Sequence, residues 1–159
     1  MSIINSKTIS RLAAIQGLYQ YNFAENKNAD EIIDQIEHLY SSGTMSEELE
    51  MPEGSKKIKL NKSFFRELLN QCVENIEKID DKIADNLANE WTMANLHDNL
   101  KALLRCGVCE IMYFPEVPFK VVINEYTNIA SEMLKDTEVG FINSILDSIN
   151  KDFRTDVKK

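Results

Sequence analysis

Glycine and proline are scarce in this chain, five and three among 159 residues, too few to punctuate the many turns of an all-β fold. Its three cysteines, Cys72, Cys106 and Cys109, leave an odd one over and fit no secreted disulfide framework, which points to a reducing compartment. No stretch approaches the ~18 uncharged apolar residues that a membrane-spanning helix needs. The opening MSIINSKTIS also lacks the basic and then apolar succession of a secretory signal. A cytoplasmic protein with no membrane association is the expectation.

Chemistry-bearing motifs are equally sparse. There is no glycine-rich phosphate loop and no nucleophile elbow, and the chain has only two histidines, His38 and His97. The CGVC run from Cys106 to Cys109 would support redox chemistry if its first thiol stood at a helix N-terminus, where the dipole lowers a thiol pKa. It falls instead in the middle of the most regular helical stripe in the chain, so both thiols are expected to pack as small apolar groups. A zinc site takes about four ligands, and Cys72, His38 and His97 stand in no ligand spacing with that pair. The expectation is therefore no enzyme, no cofactor and no metal.

What is present is charge, unevenly distributed. The formal total is −8, yet residues 1–24 hold Lys7 and Arg11 and no acid. Residues 25–54 carry nine acids against Lys27 alone, whereas SKKIKLNKSFFR, residues 55–66, carries Lys56, Lys57, Lys59, Lys62 and Arg66 and no acid. A basic surface can come only from the front end, from this middle cluster, or from the tail.

The apolar pattern is helical throughout. At ~100° per residue, Ile9, Leu12, Ile15, Tyr19 and Phe23 share one face of a first helix, with Gln16 inside that face and Lys7, Arg11 and Leu18 on another. A second helix is expected over about 29–41, followed by a long surface loop over 42–60. A third runs from about Phe65 to Ile79. A short fourth, capped by Asp80 or Asp81, turns Ile83, Leu87 and Trp91 inward. The stripe from Leu96 to Met112 makes a fifth that stops before Pro115. Pro118 opens a sixth reaching Met133, and a last helix runs from about Thr137 to Phe153. No segment alternates with period two for long enough to be a strand. The expected fold is all-α, with about seven helices in two packed bundles, residues 1–79 and 80–159, forming one compact globular unit.

With no catalytic set to build on, a binding role is left. Two cations release few counterions and cannot alone hold a polyanion strongly at physiological salt, and a solvated helix face is the alternative. Tyr19 could stack a base, although its helical phase sends it toward the core.

Four stretches resemble the NusB family. VPFKVVINEYTNIASEM (residues 117–133) is similar to its signature of a proline, an aromatic, Lys-Val and Ile-Asn-Glu, and DTEVGFINSILDSI (136–149) to its closing helix. RLAAIQGLYQ and LLRCGVCEIMY resemble its first helix and a central one, in the right order. The resemblance spans nearly the whole chain. It implies an all-helical fold in two bundles and a factor in transcription antitermination that binds boxA RNA with ribosomal protein NusE and joins elongating RNA polymerase, notably on ribosomal RNA operons. By the same resemblance Lys7 and Arg11 would be phosphate contacts, supported by Gln16 and Tyr19, with Phe141 and Asn143 contributing from the closing helix. Lys101 and Arg105 would face a partner, although Arg105 could equally pair with Glu110 or another acid of this chain. The sequence departs from the family where relatives carry a run of arginines, here Lys7, Thr8, Ile9 and Arg11, and at Gly140, often lysine in relatives. The rival expectation is a helical protein-binding adaptor that keeps the scaffold with weak or no direct RNA binding.

Overall fold

The structure is a computed structural model that describes residues 4–25, 28–41, 59–88 and 90–157. Among these there are seven α-helices and no strand, as the apolar periodicity implied. The chain divides into two compact units, residues 1–73 and 74–159. The loop expected over 42–60 lies outside the described residues except for Lys59 and Leu60, which have no regular structure. None of the described helices is long and apolar enough to cross a membrane.

In the first unit, α1 (Ser6–Phe23) starts at a reciprocal cap: the Thr8 N–H donates to the Asn5 side chain at 3.0 Å, and the Asn5 N–H donates to the Thr8 hydroxyl at 3.2 Å. α2 (Ala29–Ser41) is begun by Asn28, whose side-chain oxygen accepts from the N–H groups of Asp30 and Glu31, and those two acids sit favourably at the positive end of the helix dipole. α3 (Lys62–Glu74) is capped by Asn61, which accepts from the Phe64 N–H at 3.1 Å. The core joins Ile9, Ile15 and Leu18 of α1 with Ile32, Ile33 and Ile36 of α2 and Phe65, Leu68, Leu69 and Cys72 of α3. Gly17 is what lets these helices approach α1: a Cβ there would lie 2.8 Å from Leu69 Cδ2 and 3.5 Å from Ile32 Cγ2.

The second unit contains α4 (Ile76–Asp85), a single 3-10 turn at Met93–Asn95, α5 (Asp98–Tyr113), α6 (Phe119–Met133) and α7 (Asp136–Val157). α4, α6 and α7 all pack on α5, which is buried continuously from Ala102 to Ile111. Gly107 admits its neighbours, since a Cβ would sit 3.0 Å from Leu146 Cδ2 and 3.4 Å from the Tyr126 ring. One side chain closes the carboxyl end of α5. The Arg154 guanidinium, 9% exposed, donates to the carbonyls of Glu110, Ile111, Phe114 and Val117 at 2.7–3.2 Å. Ile111 is among the acceptors that a helix end leaves without intrahelical partners, while the Glu110 and Phe114 carbonyls also accept from the N–H groups of Phe114 and Val117. Burial pulls the Arg154 pKa below its ordinary value, while Glu110 and Glu116 oppose that shift. Nearby, the Tyr126 hydroxyl donates to the buried Glu110 carboxylate.

Four expectations change. The third helix does not run on to Ile79: it breaks at Asn75, outside helical geometry at φ −115° and ψ 19°, and α4 begins one residue later. Asp80 and Asp81 therefore both lie inside α4, whose N-cap position is Asn75. Trp91 is not turned inward, because α4 ends at Asp85 and helical phase has no meaning six residues beyond it; its side chain is 45% exposed. Phe23 and Met133, counted among apolar faces, are 58% and 40% exposed at the last residues of their helices. Cys106 and Cys109 are fully buried in the middle of α5, as their phase required.

Candidate nucleic-acid interface

The first turns of α1 and α3 are fastened side by side. The Asn61 N–H donates to the Ser10 hydroxyl at 2.9 Å, and that hydroxyl lies 2.8 Å and 2.9 Å from the Ser6 and Asn61 carbonyls. Phe64, 7% exposed, lies against two cations, with Lys7 Nζ at 5.2 Å and Arg11 Cζ at 5.1 Å from its ring centroid, within range of cation–π attraction. The two sequence-designated cations then part company. Lys7 is exposed, whereas Arg11 is 2% exposed and among the largest fully buried side chains. As α1 is packed, Arg11 presents no surface to a phosphate. The helical wheel missed this because it assumed one partner: with α2 and α3 both against it, α1 buries Thr8, Ser10, Arg11 and Leu18 as well as the apolar face.

Further along α1, Gln16 is half-buried and Tyr19 is 39% exposed. The Tyr19 ring meets Phe23 at 5.0 Å between centroids, tilted by 58°. Tyr19 is thus an accessible aromatic and not the core residue that its phase suggested. On α3, Lys62 is exposed, as is Lys59 just before it. Arg66 is engaged with Glu37 through two bonds of 2.6 and 2.8 Å. The Arg66 guanidinium holds the Glu37 carboxyl below the usual range, against the opposing effect of its burial, and Glu37 in turn raises Arg66.

In the second unit, Phe141 is half-buried on α7 and meets the Trp91 ring at 5.7 Å and 48°. Asn143 is exposed. Two residues apart on a helix means ~200° of rotation, so Phe141 and Asn143 occupy opposite flanks of α7. The outward strip between them is Gly140 and Ser144, both exposed, and a Cβ at Gly140 would meet nothing within 4 Å. Lys101 is half-buried, and Arg105, 8% exposed, grips Asp80 with two bonds of 2.8 Å. Of the alternatives for Arg105 the intramolecular pair is present, with an acid the sequence had assigned to capping. His97 accepts from the Leu100 N–H through Nδ1 at the start of α5, and its Nε2 lies 2.5 Å from Glu138. Glu138 is held below the usual carboxylate range, first by the Lys135 backbone N–H and then by His97.

Sequence reasoning missed Trp91 as a surface aromatic and Arg154 as a clamp. Trp91 stands beside Thr92 at the edge of the apolar periodicity, a signal that it leaves the helix; Arg154 carries no local signal at all. Among the described residues no group of three His, Cys, Asp or Glu side chains could hold a metal ion. The surfaces offer exposed ammonium groups, aromatic rings and an amide, a set able to bind a polyanion with unstacked bases.

The sequence model of the NusB family matches residues 8–151. A protein of Rickettsia bellii called transcription antitermination protein NusB is 45% identical over 146 residues, covering 92% of this chain and 90% of its own. Among solved structures, NusB of T. maritima superposes with a TM-score of 0.72 at 24% identity, covering 95% of this chain and 93% of its own. A structure of antitermination factors NusB and NusE in complex with dsRNA contains a chain with a TM-score of 0.71 at 18% identity, covering 95% of this chain and all of that one.

Proposed function

This chain belongs to the NusB family, and on that premise we propose that it is an RNA-binding transcription antitermination factor. It binds boxA RNA together with ribosomal protein NusE and joins the elongating RNA polymerase in the cytoplasm, notably on ribosomal RNA operons. The family match across residues 8–151 carries this reading. It acts by holding RNA and protein together and catalyses nothing.

The surfaces support a division of labour. Lys7 meets an RNA phosphate directly. Arg11 works from beneath, keeping Phe64 and the first turn of α3 in place under the Lys7 ammonium. Tyr19 offers a ring face to a base, with Gln16 behind it. Phe141 and Asn143 make separate contacts on the two flanks of α7, and a strand crossing that helix passes over Gly140 and Ser144. Lys101 serves the partner face, while Arg105 stiffens it through Asp80.

The burial of Arg11 and the engagement of Arg105 favour a second reading, in which the chain is a protein adaptor with little RNA affinity of its own. A gel shift with boxA RNA and a scrambled control, with and without NusE, separates them. The RNA reading requires preference for boxA in at least one of these conditions; NusE binding without that preference leaves the adaptor.

A further inference from the structure

Resting on the RNA-binding reading, we infer that Lys59 and Lys62, at the start of α3, form a second phosphate-binding surface continuous with Lys7, and that its ligand is the backbone of single-stranded RNA.

Continuity follows from the Ser10–Asn61 bonds, which join segments 51 residues apart in sequence. Lys62 follows Asn61 directly, Lys59 precedes it by two residues, and Phe64, two residues further, lies under the Lys7 ammonium at 5.2 Å. Lys7, Lys59 and Lys62 are all exposed. Their local charge is unopposed by their own segments: residues 55–66 contain no acid, and neither α1 nor α3 has one in its first turn. Glu37 of α2 feels the Lys62 charge, but Arg66 already occupies both of its oxygens. Asp34 acts on Arg66, and Glu67 lies more than a turn beyond Lys62. In a chain of net charge −8, this is a concentration of like charge that a polyanion neutralises. Ammonium groups on flexible stems fix phosphates without reading bases, so the surface adds affinity and salt dependence and leaves sequence preference to the aromatic and amide groups.

The test uses the full chain and a fluorescent single-stranded boxA RNA, titrated at several salt concentrations. Lys59→Gln with Lys62→Gln is compared with Lys78→Gln with Lys120→Gln, which removes the same charge from exposed positions on α4 and α6. At ~0.7 counterions released per phosphate contact on single strands, the α3 pair should flatten the log–log salt slope by about 1.4 and weaken binding roughly ten-fold near 150 mM salt. The control pair should change affinity less than about two-fold, and Lys59→Arg with Lys62→Arg should bind as the parent does. An α3 pair that behaves like the control, while Lys7→Gln still weakens binding, overturns this surface and leaves the RNA reading standing. A parent chain that does not bind the RNA overturns both.

Discussion

Lys7 and Arg11 stand one helical turn apart on α1, yet one charge is exposed and the other buried, so equal substitutions should act on different quantities. Lys7→Gln should leave stability within ~0.5 kcal/mol, as surface changes do, and flatten the salt slope of RNA binding by about 0.7. Arg11→Gln should show mainly in urea denaturation, destabilising by about 1–3 kcal/mol through lost packing of the long stem and the broken contacts of a buried charge. Arg154 is a purer case of the same kind. Arg154→Met keeps much of the stem and takes the guanidinium from four carbonyls, of which those of Glu110 and Phe114 keep a backbone donor; with ~1–3 kcal/mol for a buried group left unsatisfied, we expect a loss of about 2–4 kcal/mol. Glu37 supplies a pH dependence. Its carboxyl is held below the usual range by Arg66, so the folded state takes up this proton less readily than the unfolded chain. That stability is fully present above the ordinary glutamate value of ~4.3 and is lost as pH falls through the lower folded value. The stability gap between the parent and Glu37→Gln should be constant from neutral pH down to about pH 5 and close on further acidification. A gap that stays open in acid would show that the ion pair is not its source.

At the scale of the element, α7 carries two functions on one cylinder. Its inner face, Ile142, Ile145, Leu146 and Ile149, is buried, and its two flanks present Phe141 and Asn143. Gly140 lies on the strip between them with open space around it, so a side chain there costs no packing. Gly140→Lys should stabilise the protein by roughly 0.5–1 kcal/mol, since glycine is a poor helix former. It should also tighten RNA binding several-fold with a steeper salt slope; unchanged affinity would place the RNA elsewhere than across α7. α5 behaves in the opposite way. Gly107 faces Leu146 and Tyr126 at 3.0–3.4 Å, so Gly107→Val should overfill the contact and destabilise by about 1–3 kcal/mol, read as a lower melting temperature.

For the whole molecule, a formal charge of −8 and RNA binding are compatible because Lys7, Lys59 and Lys62 lie in segments, residues 1–24 and 55–66, that contain no acid. Three exposed lysines, Lys7, Lys59 and Lys62, at ~0.7 each, predict a salt slope near −2 for single-stranded boxA RNA. Fluorescence titrations between 50 and 200 mM salt would measure it, and a slope beyond about −4 would require cations outside this set.

Much of the fold was legible in sequence because helical periodicity is a local property: apolar residues at three- and four-residue spacing, Pro118 at the start of α6, and thiols at inward phases of α5 each report on their own segment. The candidate site was legible only as residue types. Whether a cation on α1 is a surface or a filling depends on how many neighbours α1 has, and that is decided by α3, some fifty residues away. Asp80 became the partner of Arg105, Trp91 came to stand beside Phe141, and Arg154 reached back to close α5, all through contacts between residues far apart in the chain. Composition and periodicity determined the helices and the uneven charge. Tertiary packing decided which charges meet solvent, because exposure is a property of the assembled neighbours and is not carried by any single segment.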